Sequence, residues 1–538
     1  MKRRTLLALP ALPAISALAM TTPPAAARAK FAHLDDGVAQ IQRKLAGGRL
    51  TSRALVLDYL SRLDAHDRHG PRLHSIIATN PEAVAIAADL DRERKAGRVR
   101  GPLHGVPVLV KDNLATADKM PTTAGSLALE RAIAARDSAV VARLRAAGAI
   151  VLGKTNLSEW ANIRSPRSTS GWSAVGGLTR NPHALDRNPS GSSSGTAAAI
   201  AANFATVGIG TETDGSITSP AAACGLVGLK PTVGLVSRDG IIPISHTQDT
   251  AGPITRTVAD CAAVLAAIAG ADPRDEATAA AQARDYVAAL DADALRGARL
   301  GVVRSFNVGE PRTQALFEAA LDVLRARGAV FVDDLRLPPA ETAFEAALIV
   351  LLTELKVGLA RYLGEFAPGA AVQSLADVIA FNRRHAARAM PYFGQEFFEQ
   401  AEATDGLQGA TYRNALATAR RLMRDEGLDV LLREHGVEAL VAPTQGPAWL
   451  TDLVHGDRPV PSFTTPAAVA GYPHLTVPRG AVAGLPVGLS LVGPAFSEAR
   501  LLALGYAYEQ ASRQRPVPAL ARSALDAPDR GSHGRIAR

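Results

Sequence analysis

The sequence predicts one large α/β domain. Three observations carry that prediction. Short apolar runs rich in β-branched residues alternate with segments of helical periodicity, the pattern left in a chain by strand–helix units. No Pro/Gly/Ser-rich linker divides the chain after its first thirty residues, although 538 residues would allow about three domains by length alone. Hydrophobic residues make up 47% and charged residues 20%, which suits a large packed core and excludes a disordered chain.

The elements follow in order. Residues 35–100 read as helical, with Val38, Ile41 and Leu45 at helical spacing and Leu55, Leu57, Leu60 and Leu63 clustered after them. The run 106–110 reads as a buried strand ending at Lys111-Asp112, 138–147 as a helix and 149–152 as another strand. Residues 165–195 are rich in Ser, Gly, Asn and Pro and predict a long structured loop. A helix of small side chains is expected over 196–205, then a strand over 207–210. From about 257 to 440 the chain turns to charged, Ala- and Leu-rich helices with one strand near 299–303. Apolar runs return at 440–443 and 475–478, and a last helix spans roughly 498–513.

The N-terminus reads differently. Lys2-Arg3-Arg4 precedes an almost uncharged stretch over 5–20, broken by Pro10 and Pro13 and shorter than the ~20 apolar residues that span a bilayer. Ala25-Ala26-Ala27 and Ala27-Arg28-Ala29 both fit a signal-peptidase pattern. Residues 1–29 are therefore expected to be an export signal, and Arg3-Arg4 before Leu6-Leu7 admits the twin-arginine route. The mature domain would run over 30–525, with a frayed polar tail at 526–538, in a periplasmic or secreted protein without a stable membrane anchor. Loss of 1–29 removes four basic residues and no acid, half of the formal charge of +8. What remains is too little to argue for a nucleic-acid partner, and 4% aromatic residues offer few stacking rings.

Cys224 and Cys261, the two cysteines, exclude a disulfide scaffold and a tetrathiolate zinc site. Burial as small side chains is their plain reading, and one bridge between them stays open. The twelve histidines form no H-E-x-x-H or other ligand spacing. His104 and His246 read as structural or pocket-lining residues.

Three patterns compete for the chemistry. Gly148 to Thr155 spells a P-loop, but its middle residues are Ala149-Ile150-Val151-Leu152. Those belong in a strand and not in a glycine-rich loop whose amides wrap phosphate. Gly191-Ser192-Ser193-Ser194-Gly195 spells the nucleophile elbow of serine hydrolases, with Ser193 at its tip. A true elbow follows a strand, whereas 181–189 is polar and broken by Pro182 and Pro189. The third pattern is wider: Lys111 at a strand end, the serine loop 190–195 at a helix start, and Gly215-Ser216 in a second loop. Burial lets a lysine act as a base by lowering its pKa. A Gly-Ser turn lets backbone N–H groups converge on an oxyanion.

The segment Pro189-Ser-Gly-Ser-Ser-Ser-Gly-Thr-Ala-Ala-Ala, then Gly210-Thr-Glu-Thr-Asp-Gly-Ser-Ile and Gly225-Leu-Val-Gly-Leu-Lys-Pro-Thr, resembles the amidase signature family. So do Gly105-Val-Pro-Val-Leu-Val-Lys-Asp-Asn and Gly153-Lys-Thr-Asn-Leu-Ser-Glu-Trp, in matching order and spacing. The likeness extends from about 35 to 515. It implies a central mixed β-sheet covered by helices on both faces. It also implies hydrolysis of carboxylic amides to acid and ammonia, with Ser216 as nucleophile, Ser192 as a bridging serine after a cis peptide bond, and Lys111 as base. The backbone amides of Thr213, Asp214, Gly215 and Ser216 would form the oxyanion hole. No metal or cofactor is expected for the chemistry that the resemblance implies, and the lack of ligand spacing among the histidines agrees with that. Thr211 to Ser216 and 233–243 look most like family members that remove the C-terminal amide of peptides. General or aryl acylamidase or esterase action on the same triad is the alternative. A Ser193 hydrolase or an ammonia-transferring amidotransferase component fits less well. The chain departs from the usual family pattern at Ser190, Ser194, Glu212 and Asp214, and the Asp214 carboxylate is expected to point away from the oxyanion site. Substrate-lining loops are expected within 160–175, 340–400 and 445–465.

Overall fold

Eleven strands hydrogen-bond into one sheet, and its order explains how residues far apart in sequence come together. The computed structural model describes residues 31–306, 309–338, 341–458 and 460–526. The expected export signal lies outside the described residues, as does all of the polar tail but Asp526. Residues from Asp35 onward form one unit.

The strands, in chain order, are β1 (Ile76–Thr79), β2 (Pro107–Lys111), β3 (Ile150–Thr155), the short hairpin β4 (Trp172–Ser173) and β5 (Gly177–Leu178), β6 (Val207–Glu212), β7 (Val227–Lys230) and β8 (Thr250–Thr255). Then come β9 (Arg299–Val303), β10 (Val330–Leu335), β11 (Ala439–Pro443), β12 (His474–Val482) and β13 (Leu485–Val492). Across the sheet they run β1-β3-β2-β6-β8-β7-β12-β13-β11-β9-β10. β2 is parallel to both β3 and β6, β9 is parallel to β10 and β11, and the central pairings are antiparallel. The sheet is mixed and flanked by helices. This is the architecture that the resemblance implies.

Every expected strand forms within a few residues of its expected bounds, and five of the eleven in the sheet were not anticipated. β1 lies inside the stretch read as wholly helical, and β10 inside the helical stretch after 257. β10 is an edge strand whose Val330 is half exposed and whose Asp333 and Asp334 face solvent, so it carries little apolar signal; such charges also blunt an edge. β8 is central yet reads Thr-Ala-Gly-Pro-Ile-Thr, with Pro253 paired to Ile209. Proline in a sequence argues against a central strand. The glycine beside it has a steric reason, because a Cβ on Gly252 would lie 2.1 Å from the Leu229 carbonyl oxygen of β7. β7 and β13 are likewise short or glycine-bearing.

Helix Ser194–Ala201, shorter than expected, is buried at every residue. Its small side chains let it approach the sheet closely, and Gly195 marks the tightest point: a Cβ there would sit 2.4 Å from the carbonyl oxygens of both Asn156 and Ser75. The 26-residue helix Glu341–Phe366 serves two apolar clusters. Leu352, Leu355 and Leu359 pack with Ala124, Trp160 and Phe398, while Ala343, Ala347 and Val350 pack with Tyr412 and Met423. No helix among the described residues is long and apolar enough to cross a membrane. Cys224 and Cys261 are both buried and free, which closes the question of a bridge.

Gly195→Ala is therefore expected to lower the free energy of unfolding by about 3 kcal/mol, through overpacking against backbone that cannot move aside. Gly364→Ala, on the long helix with open space around it, should instead be neutral or stabilising by up to about 1 kcal/mol. Denaturant unfolding of the two variants beside the parent checks both.

Candidate active site

Parallel strands bring their C-terminal ends to the same edge of a sheet, where α/β proteins build sites. β2 and β6 are parallel neighbours with Val110 opposite Ile209. Lys111, the last residue of β2, therefore stands beside Thr211 of β6. Its amine lies 2.7 Å from Ser192 Oγ and 2.9 Å from Thr211 Oγ1, and donates to the Thr211 carbonyl at 3.3 Å. Asn113 Nδ2 donates to the same Thr211 hydroxyl at 3.0 Å. Lys111 and Ser192 are both fully buried. Burial drives the Lys111 pKa down to about 7, while the Asp249 and Glu212 carboxylates pull the other way.

Ser192 follows a cis peptide bond from Gly191. Its carbonyl accepts from Ser158 N–H at 3.1 Å, and Ser194 Oγ donates back to the Ser190 carbonyl at 2.6 Å. The loop thus closes on itself before helix Ser194–Ala201 begins. Ser193 Oγ donates to the Thr211 carbonyl at 3.1 Å and accepts from Thr211 N–H at 3.3 Å. It has no histidine partner among the described residues, and no strand precedes it. The elbow reading fails on that geometry. The P-loop reading fails too, because 150–155 is strand β3 and Lys154 is buried, donating to the Leu114 carbonyl and to Thr122 Oγ1 and facing Asp112 at 3.5 Å.

The turn after β6 carries the remaining candidates. Ser216 is 8% exposed, whereas Ser192 and Lys111 are sealed at 0%, so of the three residues Ser216 lies nearest to solvent. Among the described residues no hydrogen bond joins Ser192 Oγ to Ser216 Oγ. The Ser216 carbonyl accepts from Ser193 N–H at 3.1 Å, which ties the turn to the serine loop.

Glu212 changes the expected oxyanion set. Its carboxylate accepts from Gly215 N–H at 2.9 Å, Ile217 N–H at 2.8 Å and Thr218 N–H at 2.9 Å. The Gly215 amide, expected among the oxyanion donors, is thus directed at a carboxylate inside the protein. The amides of Thr213, Asp214 and Ser216 carry no hydrogen bond among the described residues. Asp214 points towards Thr465, whose hydroxyl donates to it at 2.6 Å, and burial pushes its pKa up to about 6. Thr465 thus holds one of the two carboxylate oxygens of Asp214.

Sequence reasoning missed the groups behind this turn. Thr211 lies inside the Gly210 to Ile217 motif and Asn113 ends the Gly105 to Asn113 motif, while Glu212 is a departure from the usual family pattern. Gln248 Nε2 donates to the Thr213 carbonyl at 3.2 Å, and Thr213 Oγ1 donates to Asp249 at 2.5 Å. Nothing in the Thr-Gln-Asp-Thr spelling of 247–250 distinguishes these two residues from an ordinary loop. The histidines are structural where they are buried. His104 Nε2 lies 3.0 Å from the Leu90 carbonyl, and His474, driven by burial to a pKa of about 3, lies 2.6 Å from Ser490 Oγ. His246 is half exposed, 3.5 Å from Glu354.

The three loops expected to shape the substrate side hold one another. Arg164 donates to the Ala389 carbonyl at 2.6 Å and packs over the Phe393 ring, and Ser165 Oγ donates to Glu396 at 2.7 Å. Asp457 accepts from Ser170 N–H at 3.0 Å and from Trp449 Nε1 at 3.3 Å. A cavity of about 540 Å³ opens beside this region, lined by Leu127, Ala132, Phe381, His385 and Arg388 among others. Residues 127–132 were not in the expected set.

Glu212→Gln is expected to lower unfolding stability by about 3 kcal/mol, because an amide nitrogen would then oppose backbone N–H groups that need an acceptor. Chemical denaturation of the variant tests this; an unchanged midpoint would mean the carboxylate does not hold the turn.

Comparison with known proteins agrees with the fold and the motifs. A profile of the Amidase family matches residues 54–502. The "Probable amidase" of Arabidopsis thaliana is 43% identical over 482 residues, covering 87% of this chain and 88% of that protein. The solved peptide amidase of Stenotrophomonas maltophilia superposes with a TM-score of 0.87 at 52% identity, covering 91% of this chain and 99% of that one. A glutamyl-tRNA(Gln) amidotransferase component of Halorhodospira halophila is 39% identical over 489 residues, covering 88% of this chain and 96% of that protein. With strand ends, serine loop and turn arranged as described, and the profile spanning most of its length, the chain belongs to the amidase family and is an amide-hydrolysing enzyme.

Proposed function

We propose that this enzyme removes the C-terminal amide of peptides, with Ser216 as nucleophile, Ser192 as proton relay and Lys111 as base. The observation that carries the reading is the fully buried Lys111 amine, 2.7 Å from Ser192 Oγ, with its pKa driven down to about 7. A neutral amine has a lone pair to accept a proton, and a pKa close to working pH suits a general base. The substrate class rests on the 52% identity to peptide amidase.

Neutral Lys111 takes the Ser192 hydroxyl proton while Ser192 takes that of Ser216. Ser216 Oγ bonds to the amide carbon, and the carbonyl oxygen gains the negative charge. The free amides of Thr213, Asp214 and Ser216 are the donors offered to it. Collapse breaks the C–N bond, the relay returns the proton to the departing nitrogen, and ammonia leaves. Water then attacks the acyl-enzyme by the same relay and releases the acid. No step requires a histidine.

Likeness to the amidotransferase component favours a second reading, in which the ammonia is delivered to an acceptor. Ammonia release by the purified single chain on a peptide amide separates the two. The basic start, apolar run and small-residue cleavage pattern of 1–29 support export, and N-terminal sequencing of secreted material tests it: an intact Met1 refutes cleavage.

Ser216→Ala is expected to cut kcat by about 10⁴-fold or more, and Lys111→Ala by about 10³-fold, with Ser193→Ala retaining turnover. Activity in Ser216→Ala with loss in Ser193→Ala would overturn the assignment. Because neutral Lys111 is the active form, kcat/KM should fall about tenfold per pH unit below its pKa and level off above it. The bend is expected near pH 7. Ammonia assays across peptide amides, fatty amides, anilides and esters rank the substrate classes.

A further inference from the structure

We propose that Asp249 and Gln248 are positioning residues: they grip Thr213 and thereby aim the Asp214 N–H at the substrate's carbonyl oxygen. The inference rests on the reading of Ser216 as nucleophile and of the 213–216 turn as its oxyanion site.

Thr213 is held from outside its own turn at two atoms. Its hydroxyl donates to Asp249 Oδ1 at 2.5 Å, and its carbonyl accepts from Gln248 Nε2 at 3.2 Å. A peptide unit is planar and trans, so the N–H of residue 214 points opposite to the carbonyl of residue 213. With that carbonyl turned to Gln248, the Asp214 N–H faces away from the 244–249 loop and has no protein acceptor among the described residues. The far end of the turn is gripped by Glu212 through Gly215, Ile217 and Thr218. Asp249 and Glu212 thus stretch the turn between two buried carboxylates, leaving three amides without a protein acceptor among the described residues.

The clamp is itself anchored. Asp249 Oδ2 accepts from Ile244 N–H at 2.8 Å and Ser245 N–H at 2.9 Å. Glu354, on helix Glu341–Phe366, accepts from Thr247 N–H at 3.1 Å, from Tyr412 OH at 2.6 Å and from the Ser245 hydroxyl. Thr213, Gln248, Asp249 and Glu354 are 8%, 3%, 8% and 1% exposed. A chain of buried hydrogen bonds therefore runs from the helical layer to the peptide plane beside the nucleophile. Buried dipoles fixed before substrate arrives need no reorganisation when charge develops, which is why such fixing acts on rate.

The test uses the full-length enzyme on a peptide amide, with kcat, KM and the rate of labelling by a fluorophosphonate as readouts. Thr213→Val removes only the hydroxyl, and Gln248→Met removes the donor at similar volume. Each is expected to lower kcat about 10- to 100-fold with KM changed by less than about threefold, and to slow labelling in parallel. Thr213→Ser, which keeps the hydroxyl, should recover most of the loss seen in Thr213→Val. Wild-type kcat in both Thr213→Val and Gln248→Met, or a loss confined to KM, overturns the inference. Asp249→Asn is read only if its thermal unfolding matches the parent, and the two milder variants decide the matter without it. Ser216→Ala is measured alongside. If it keeps its activity, the nucleophile assignment falls; if it is inactive while the two clamp variants are fully active, only the positioning role falls.

Discussion

A lysine amine buried at a strand end, 2.7 Å from a serine hydroxyl, sets the terms for everything around it. An ammonium moved out of water costs several kcal/mol unless it is paired. Among the described residues no carboxylate forms an ion pair with it; Asp249 and Glu212 act on it only through the field. The cheaper course is for the lysine to give up its proton near neutrality, as the proposed role of base requires. The sheet supports this by lining the amine with hydroxyl and carbonyl oxygens from Ser192 and Thr211. A lysine at the same place in water would stay charged at any physiological pH.

The turn after β6 obeys a related rule. Turn amides without partners are costly when buried, yet the proposed oxyanion site has to keep some unpartnered. The fold resolves this by dividing them. Glu212 takes the amides of Gly215, Ile217 and Thr218, while Gln248 and Asp249 take the carbonyl and hydroxyl of Thr213. The two carboxylates rigidify the turn through amides and a hydroxyl, and neither is spent on an ion pair with Lys111.

The parallel patch of the sheet was legible in the sequence because its strands are short β-branched runs buried on both faces. The runs at 106–110, 149–152 and 207–210 became β2, β3 and β6, each carried a little further into polar residues at its C-terminal end. Those extensions matter, since they deliver Lys111 and Thr211 to the site. β8 and β10 were not legible, for opposite reasons. β8 carries a glycine and a proline in the closely packed middle of the sheet, and β10 is a half-exposed edge. In the site, Lys111, Ser192 and Ser216 follow from the resemblance of their motifs to the amidase family, whereas Gln248, Asp249 and Glu354 have no local signature. The role proposed for them comes from which atoms they meet 35 to 109 residues away.

Sequence alone was enough to expect an α/β fold from its hydrophobic period and, from the resemblance of its motifs to a known family, an amidase with a Lys/Ser/Ser candidate site, because both are local properties. It also counted against the two rival spellings, since the residues in or beside each spelling had the wrong character for it, and the structure then removed them. Tertiary structure alone decided which amides stay free, that Gly215 is not among them, that Asp214 turns to Thr465, and that the cysteines are unpaired. A hydrogen bond is satisfied by whatever lies within about 3 Å, and in an eleven-stranded sheet with crossovers that neighbour comes from anywhere along the chain.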